Sequence, residues 1–172
     1  MKQLDPKAVW LFFINILVGW IFLIFFFGFW VMTFFVSIFG GKMIGYSFLI
    51  FLGIILPLFA ILCFVWSKLI YRFYRYELVE DGFRKEHGVI WKKYVTIPYD
   101  RIQNVDIYRG VWARILGLSD LNIQTAGASA VIGHGGMGMG AEGRLPGLSH
   151  VVAEELRDEL IRRAKVSKSQ GL

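Results

Sequence analysis

A chain of 172 residues has room for one modest domain plus an appendage, and sixteen Phe with six Trp is heavy aromatic loading for a soluble protein of that size. Its single cysteine, Cys63, excludes a disulfide framework and a thiol-rich metal site. The net charge of +6 divides into three Lys and one Asp up to Ser67, then sixteen Lys/Arg against twelve Asp/Glu; such mixed signs suit a membrane-facing surface and argue against a dedicated nucleic-acid binder.

Residues 9–39 form a run of 31 without a charge, and residues 43–67 another of 25. A membrane crossing takes about 20 apolar residues, so both runs qualify as transmembrane helices. Gly40-Gly41-Lys42 joins them and is long enough only for an antiparallel hairpin. At about 1.5 Å per residue the first run reaches about 46 Å, so it tilts, protrudes or begins as an interfacial segment near Trp10. A signal peptide would close after about 7–15 apolar residues on small side chains, whereas Phe25-Phe26-Phe27 stands where cleavage would fall. Lys2 and Lys7 precede the first run, Lys68, Arg72 and Arg75 follow the second, and the turn holds only Lys42. By the positive-inside rule this describes a multi-pass protein of the cell (inner) membrane with both termini cytoplasmic. Asn15, Gly19, Gly28 and Gly53 are the candidate helix–helix contacts, the first through its amide and the others through close approach. Pro57 is expected to kink the second span. Neither run contains Asp, Glu, Lys, Arg or His, which argues against a pump or coupled transporter acting alone.

After the second run the texture changes to short alternations of apolar and polar residues, the pattern of half-buried strands. Residues 71–79 read as an opening strand, Glu80-Asp81-Gly82 as a hairpin turn, and residues 83–90 as the second strand. Trp91-Lys92-Lys93 reverses the chain into residues 94–97, and Pro98, lacking an N–H, marks a strand end. Val95, Ile97 and Tyr99 share one side, followed by Val105 and Ile107, then Leu121 and Ile123. Between these runs residues 111–116 break the alternation and predict a single helical turn closed by Gly117. Residues 126–143, with seven glycines and Met137 and Met139 interleaved, are expected to form a mobile loop between strands. Residues 145–148 predict one more short strand. Ser149 then caps a terminal helix with Val152, Leu156, Leu160 and Ala164 on one face, and residues 167–172 are expected to fray. The partition is a two-span hairpin at 1–69, a mainly-β cytoplasmic domain at 70–166, and a tail at 167–172.

Catalytic chemistry finds no footing in this pattern. His87, His134 and His150 have no metal-ligand spacing, there is no nucleophile elbow or P-loop, and the Gly-Gly-Met-Gly-Met-Gly run lacks the lysine and helix start of a phosphate loop. No cofactor, metal or catalytic residue is expected. Asp100 and Asn104 read as turn-forming residues and Arg101 as a tie between strands. Lys68, Arg72, Arg75, Lys92 and Lys93 are the candidate contacts to anionic lipid headgroups, each worth about 1 kcal/mol at a membrane surface.

Four stretches, E-D-G-F-R-K-E-H-G-V-I, T-I-P-Y-D-R-I-Q-N-V-D-I, R-G-V-W-A-R-I-L-G-L-S-D-L-N-I-Q-T-A-G and G-L-S-H-V-V-A-E-E-L-R-D-E-L, resemble the bacterial pleckstrin-homology-like membrane proteins of the YdbS type. The resemblance covers about residues 71–160. It implies a curved seven-stranded sheet or partly open barrel capped by a C-terminal helix and hung from a membrane hairpin. It also implies a membrane-anchored binding or scaffolding module with links to cell-envelope defence and no enzyme activity. Protein partners are then the expected ligands, as a homo-oligomer or with another membrane protein, beside membrane lipids and without nucleic acid. An anionic-lipid sensor and an accessory subunit of a transporter or channel are the alternatives.

Overall fold

The computed structural model describes residues 1–39, 51–125 and 143–170. The chain divides into two compact units, Phe12–Lys68 and a second composed of Met1–Leu11 with the described residues from Leu69 onward.

The apolar unit is helical. Helix α1 (Ala8–Phe39) supplies its first half, and a π-helical turn at Phe51–Ile55 running into α2 (Leu56–Phe73) supplies its second. Pro57 stands in the first turn of α2. It has no N–H to donate and its ring collides with the carbonyl four residues back, so the irregularity expected there takes the form of the π-wound turn before it. The stretches Ala8–Phe34 and Gly53–Phe73 are long and apolar enough to cross a membrane. Only 6 % and 11 % of their most apolar windows are buried, whereas the core helix of a soluble protein is mostly buried. Two of their hydroxyls turn inward on their own backbone: Thr33 Oγ1 donates to the Trp30 carbonyl at 2.9 Å and Ser67 Oγ to the Cys63 carbonyl at 2.8 Å.

The other unit is built from two antiparallel sheets. The first orders β1 (Lys2–Gln3), β2 (Arg75–Leu78), β3 (Gly82–His87) and β4 (Lys93–Pro98); the second orders β5 (Ile102–Tyr108), β6 (Leu118–Thr125) and β7 (Gly143–Ser149). The seven strands implied by the resemblance are therefore present as four plus three, and one of them comes from the N-terminus. The Glu80-Asp81 reversal sets Leu78 opposite Phe83, with Val79 N–H donating to the Gly82 carbonyl at 2.9 Å. Pro98 ends β4, and a 3-10 turn at Tyr99–Arg101 leads into β5. A register shift between Ile102 and Asn104 leaves Gln103 outside the ladder. The helical turn expected after β5 is α3 (Val111–Ile115), closed by Gly117 at φ +71°.

Three expectations need correction. Residues 71–73 continue α2, so the opening strand is only Arg75–Leu78; extending a formed helix adds one hydrogen bond per residue fixed, and no Gly or Pro stops it before Tyr74. Strand β3 ends at His87 rather than at 90, where Gly88 turns out of it at φ +113°. The terminal helix α4 spans His150–Gln170, so residues 167–170 are helical. Lys168 Nζ donates to the Ile102 carbonyl at 3.0 Å and holds that last turn against β5. Residues 126–142, expected to be a loop, lie outside the described residues, as do the 40–42 turn and residues 171–172.

Phe83, Leu118, Leu121, Ile123, Leu145, Leu148 and Leu160 form the innermost core. Helix α4 covers the sheets with Ala153, Leu156, Leu160 and Ala164, all buried, and Ser149 Oγ accepts its Val152 N–H at 3.4 Å as the expected cap. Full burial of each leucine stabilises by about 1.5–3 kcal/mol. The N-terminal residues belong to the same core: Leu4, Ala8 and Leu11 are buried at 3 %, 0 % and 4 % exposure. Asp5 N–H donates to the Gly147 carbonyl at 3.2 Å, while its carboxylate accepts from Lys7 N–H at 2.9 Å ahead of α1. Asp followed by Pro at a helix start satisfies the first free N–H groups and presets φ.

Gly147 sits at φ +68°, and a Cβ there would meet the Ala8 Cβ at 2.5 Å. Gly117, at φ +71°, faces open space. Gly147→Ala is expected to destabilise by about 1–3 kcal/mol and Gly117→Ala by less, read as the two shifts in thermal melting midpoint of the detergent-solubilised protein; equal shifts would mean that the Ala8 contact contributes nothing.

Candidate functional site

A cleft of about 590 Å³ is lined by residues of strand β2, helix α4 and the N-terminus. Met1, Lys2, Tyr76, Glu77, Leu78, Val152, Glu155, Leu156 and Glu159 line it. Tyr76 and Leu156 are buried beneath it at 4 % and 7 % exposure, while Val152 is 38 % exposed at its lip. The walls carry three carboxylates. Glu77 lies 3.7 Å from the Arg84 guanidinium. Glu159 is bound by Arg162 at 2.8 Å and Arg163 at 2.6 Å, and their hydrogen bonds lower its pKa to about 2. Glu155 is exposed on the same face of α4. The recess thus sets three carboxylates around an apolar floor, with Lys2 and the Met1 amino group on the same lining, the latter 3.5 Å from Glu77, and no cysteine, serine or histidine among its described residues. Among the described residues no group of three or more His, Cys, Asp or Glu is placed to hold a metal ion.

Arg163 is also the link between α4 and the strands. Its guanidinium donates to the Val79 carbonyl at 3.3 Å and to Tyr99 Oη at 3.2 Å, and Tyr99 Oη donates to the same carbonyl at 2.9 Å. The tie expected of Arg101 is made here by Tyr99, and Arg101 and Asp100 are exposed. Asn104 does serve local backbone, accepting from Val105 N–H at 2.9 Å.

The basic positions do not form one cluster. Lys68 falls in the apolar unit, with Nζ 4.9 Å from the Phe64 ring centre. Arg72 is exposed on the last turn of α2. Arg75 stands opposite Glu86 across β2 and β3, and Lys93 opposite His87 across β3 and β4. Lys92 Nζ lies 3.7 Å from Glu86 and 5.8 Å from the ring centre of Phe73. Glu86 therefore offsets part of the charge that Arg75, Lys92 and Lys93 bring together. In the apolar unit Asn15 is exposed and Gly28 half-buried, and among the described residues nothing lies within 4 Å of where a Cβ on Gly19 or Gly53 would stand.

Sequence reasoning missed a buried polar cluster between the sheets. Asp120, 5 % exposed, accepts from the Arg144 guanidinium at 2.7 Å and from Gly147 N–H at 3.1 Å. The Arg144 carbonyl in turn accepts from Tyr74 Oη and, at 3.4 Å, from Lys85 Nζ. Burial pushes the Tyr74 phenol well above its ordinary range. His87 packs beside Tyr74 at 5.6 Å between ring centres, and its Nδ1 is buried without a hydrogen-bond partner among the described residues. Burial, with Lys85 and Lys93 adding repulsion, holds the His87 pKa below its ordinary 6.5. One signal was available: Lys85 and His87 fall in phase with inward-facing Phe83, and a lysine on the buried side of a strand demands a partner. The Arg144 carbonyl that accepts from it lies 59 positions away in the chain, where no local pattern reaches.

A family model described as bacterial PH domain matches residues 6–164, a span that takes in both apolar helices as well as strands β2 to β7. No curated protein matches the chain, and no solved structure does.

Removing one member of a buried ion pair strands the other charge at a penalty of about 3–5 kcal/mol; Arg144 is partly exposed, so Asp120→Ala is expected at the low end of that range, measured as loss of thermal stability. His87 binds its proton more weakly folded than unfolded. Its contribution is therefore fully present above pH 6.5 and falls as pH drops through that value toward the depressed folded pKa. His87→Gln should flatten the melting-temperature profile in that acid window, and an unchanged profile would place the titration elsewhere.

Proposed function

Because the chain belongs to the bacterial PH domain family, we propose that its PH-like binding module is held at the cytoplasmic face of the cell membrane by α1 and α2 and works through polypeptide partners, including copies of itself. The observation that carries this reading is the way both apolar helices join the β unit. Residues Met1–Leu11 supply a strand and three buried side chains to it, and Leu69–Phe73 run into β2 with a single residue, Tyr74, between. A soluble binding domain has no use for helices so apolar and so little buried, and a detachable targeting segment would not be built into its core. The excess of Lys and Arg at the two outer ends over the lone Lys42 between them supports the cytoplasmic side.

The partner surface is best matched by the cleft between β2 and α4. Its apolar floor of Tyr76, Leu78 and Leu156 under Glu77, Glu155 and Glu159 suits a peptide segment that carries an apolar anchor flanked by Lys or Arg. A regulatory scaffold at the inner membrane, including one acting in envelope defence, would use such a cleft. Binding rather than catalysis is the chemistry these side chains support.

The full-length protein, extracted gently from membranes, is expected to exceed monomer mass by light scattering, with a second copy or another polypeptide bound. The pair Val152→Arg and Glu155→Arg should reduce that association about tenfold or more, equivalent to about 1.4 kcal/mol, without moving the melting temperature. A purely monomeric extract, or a C-terminal tag labelled on intact cells, would overturn the reading.

A further inference from the structure

Two elements of the β unit present apolar side chains that its core does not use. One is the β3–β4 tip, where Ile90 is 66 % and Trp91 84 % exposed, followed by Lys92, Lys93 and the 59 % exposed Tyr94. The other is α3, where Val111, Trp112 and Ile115 are 69 %, 44 % and 70 % exposed, with Arg109 and Arg114 beside them in the chain. Of this short helix only Ala113 enters the core, against Leu11 and Leu118. Neither segment, residues 88–94 or 108–117, contains an acidic residue.

Their positions are what set them apart from scattered surface hydrophobics. The tip reaches the end of α2, with Lys92 Nζ 5.8 Å from the ring centre of Phe73, the last helical residue. Helix α3 packs through Ala113 on Leu11, at the start of α1. Each patch therefore lies beside a point where a stretch able to cross a membrane begins or ends. Two crossings return a chain to the side it left, so the start of the first and the end of the second meet the same headgroup layer. Trp and Tyr favour that layer, with an apolar ring body and a polar edge. Lys and Arg beside them extend charged heads to water and lipid phosphate while their stems stay apolar.

We infer that the β3–β4 tip and α3 form a two-point seat that rests in the headgroup layer of the bilayer crossed by α1 and α2. The inference rests on the membrane-held reading and adds to it a surface on the β unit itself. Trp91 and Ile90 enter from one side, Val111, Trp112 and Ile115 from the other, and the flanking Lys and Arg meet anionic headgroups.

The test uses the full chain in nanodiscs of phosphatidylcholine and phosphatidylglycerol, in a Cys63→Ala background. Single nitroxide labels are placed through Trp91→Cys and Ile115→Cys, with Ile90→Cys and Val111→Cys as a second pair should either of the first disturb folding. Phe25→Cys within α1 and Gln103→Cys on the exposed bulge of β5 serve as references. Collision with oxygen, which concentrates in lipid, is compared with collision with a water-soluble nickel chelate. At the seat positions the oxygen-to-nickel ratio should rise well above that at 103, toward that at 25. A ratio equal to that at 103, with 25 in lipid, overturns the seat and leaves the membrane-held reading standing. Exclusion of both reagents would show a second copy covering the patch and would equally overturn it. Nickel access at 25 would remove the membrane-held reading and the seat together.

Discussion

The seam between residues 2–11 and strands β2 and β7 is the constraint on which the β unit depends. Lys2 and Gln3 pair with Tyr76 and Arg75 and so cover an edge that would otherwise stay open. Asp5 N–H reaches the Gly147 carbonyl, and Ala8 sits over Gly147, where β7 has no side chain to obstruct it. Leu4, Ala8 and Leu11 then close the core from outside the strands. The fold consequently needs both ends of the chain: its first strand precedes the apolar helices and its other six follow them. A cut at residue 70, between the apolar helices and the later strands, would leave those strands without this edge.

The polar cluster solves a different problem at the same seam. A buried carboxylate is tolerable only with its hydrogen bonds made, and Asp120 meets that demand by accepting from Arg144 and from the backbone of Gly147. It thereby sets the local path of β7, where the β6–β7 register shifts between Ser119 and Leu121. Tyr74 and Lys85 bring the first sheet to the same strand through the Arg144 carbonyl. Apolar packing alone is non-directional; these bonds fix which residue of β7 faces which residue of the first sheet.

Charge is sorted over the β unit in a way that its near-balanced total conceals. Glutamates gather at the cleft between β2 and α4, where Glu159 also orders Arg162 and Arg163. Lys and Arg accompany exposed Trp at the β3–β4 tip and α3, beside the ends of the apolar helices, with Glu86 offsetting part of the charge at the tip. A glutamate-bearing recess and basic, aromatic rims suit ligands of different chemistry.

Much of this architecture was legible in the residues. Uncharged runs, alternation, the Asp81-Gly82 turn, Pro98 and the Ser149 cap each act within a few positions, and each marks an element or boundary that the structure contains. The end of α2 and the length of α4 were misjudged because helix propagation and a single tertiary bond, from Lys168 to Ile102, outweighed local preference. The amino-acid sequence by itself determined that two long apolar helices accompany a small antiparallel β fold with a capping helix. Only the tertiary structure decided that Met1–Leu11 belongs to that fold, that Asp120, Arg144, Tyr74 and Lys85 meet, and that a cleft opens beside α4. Those features are pairings between residues tens of positions apart, and hydrophobic periodicity says which face a residue turns inward but not which distant residue waits there.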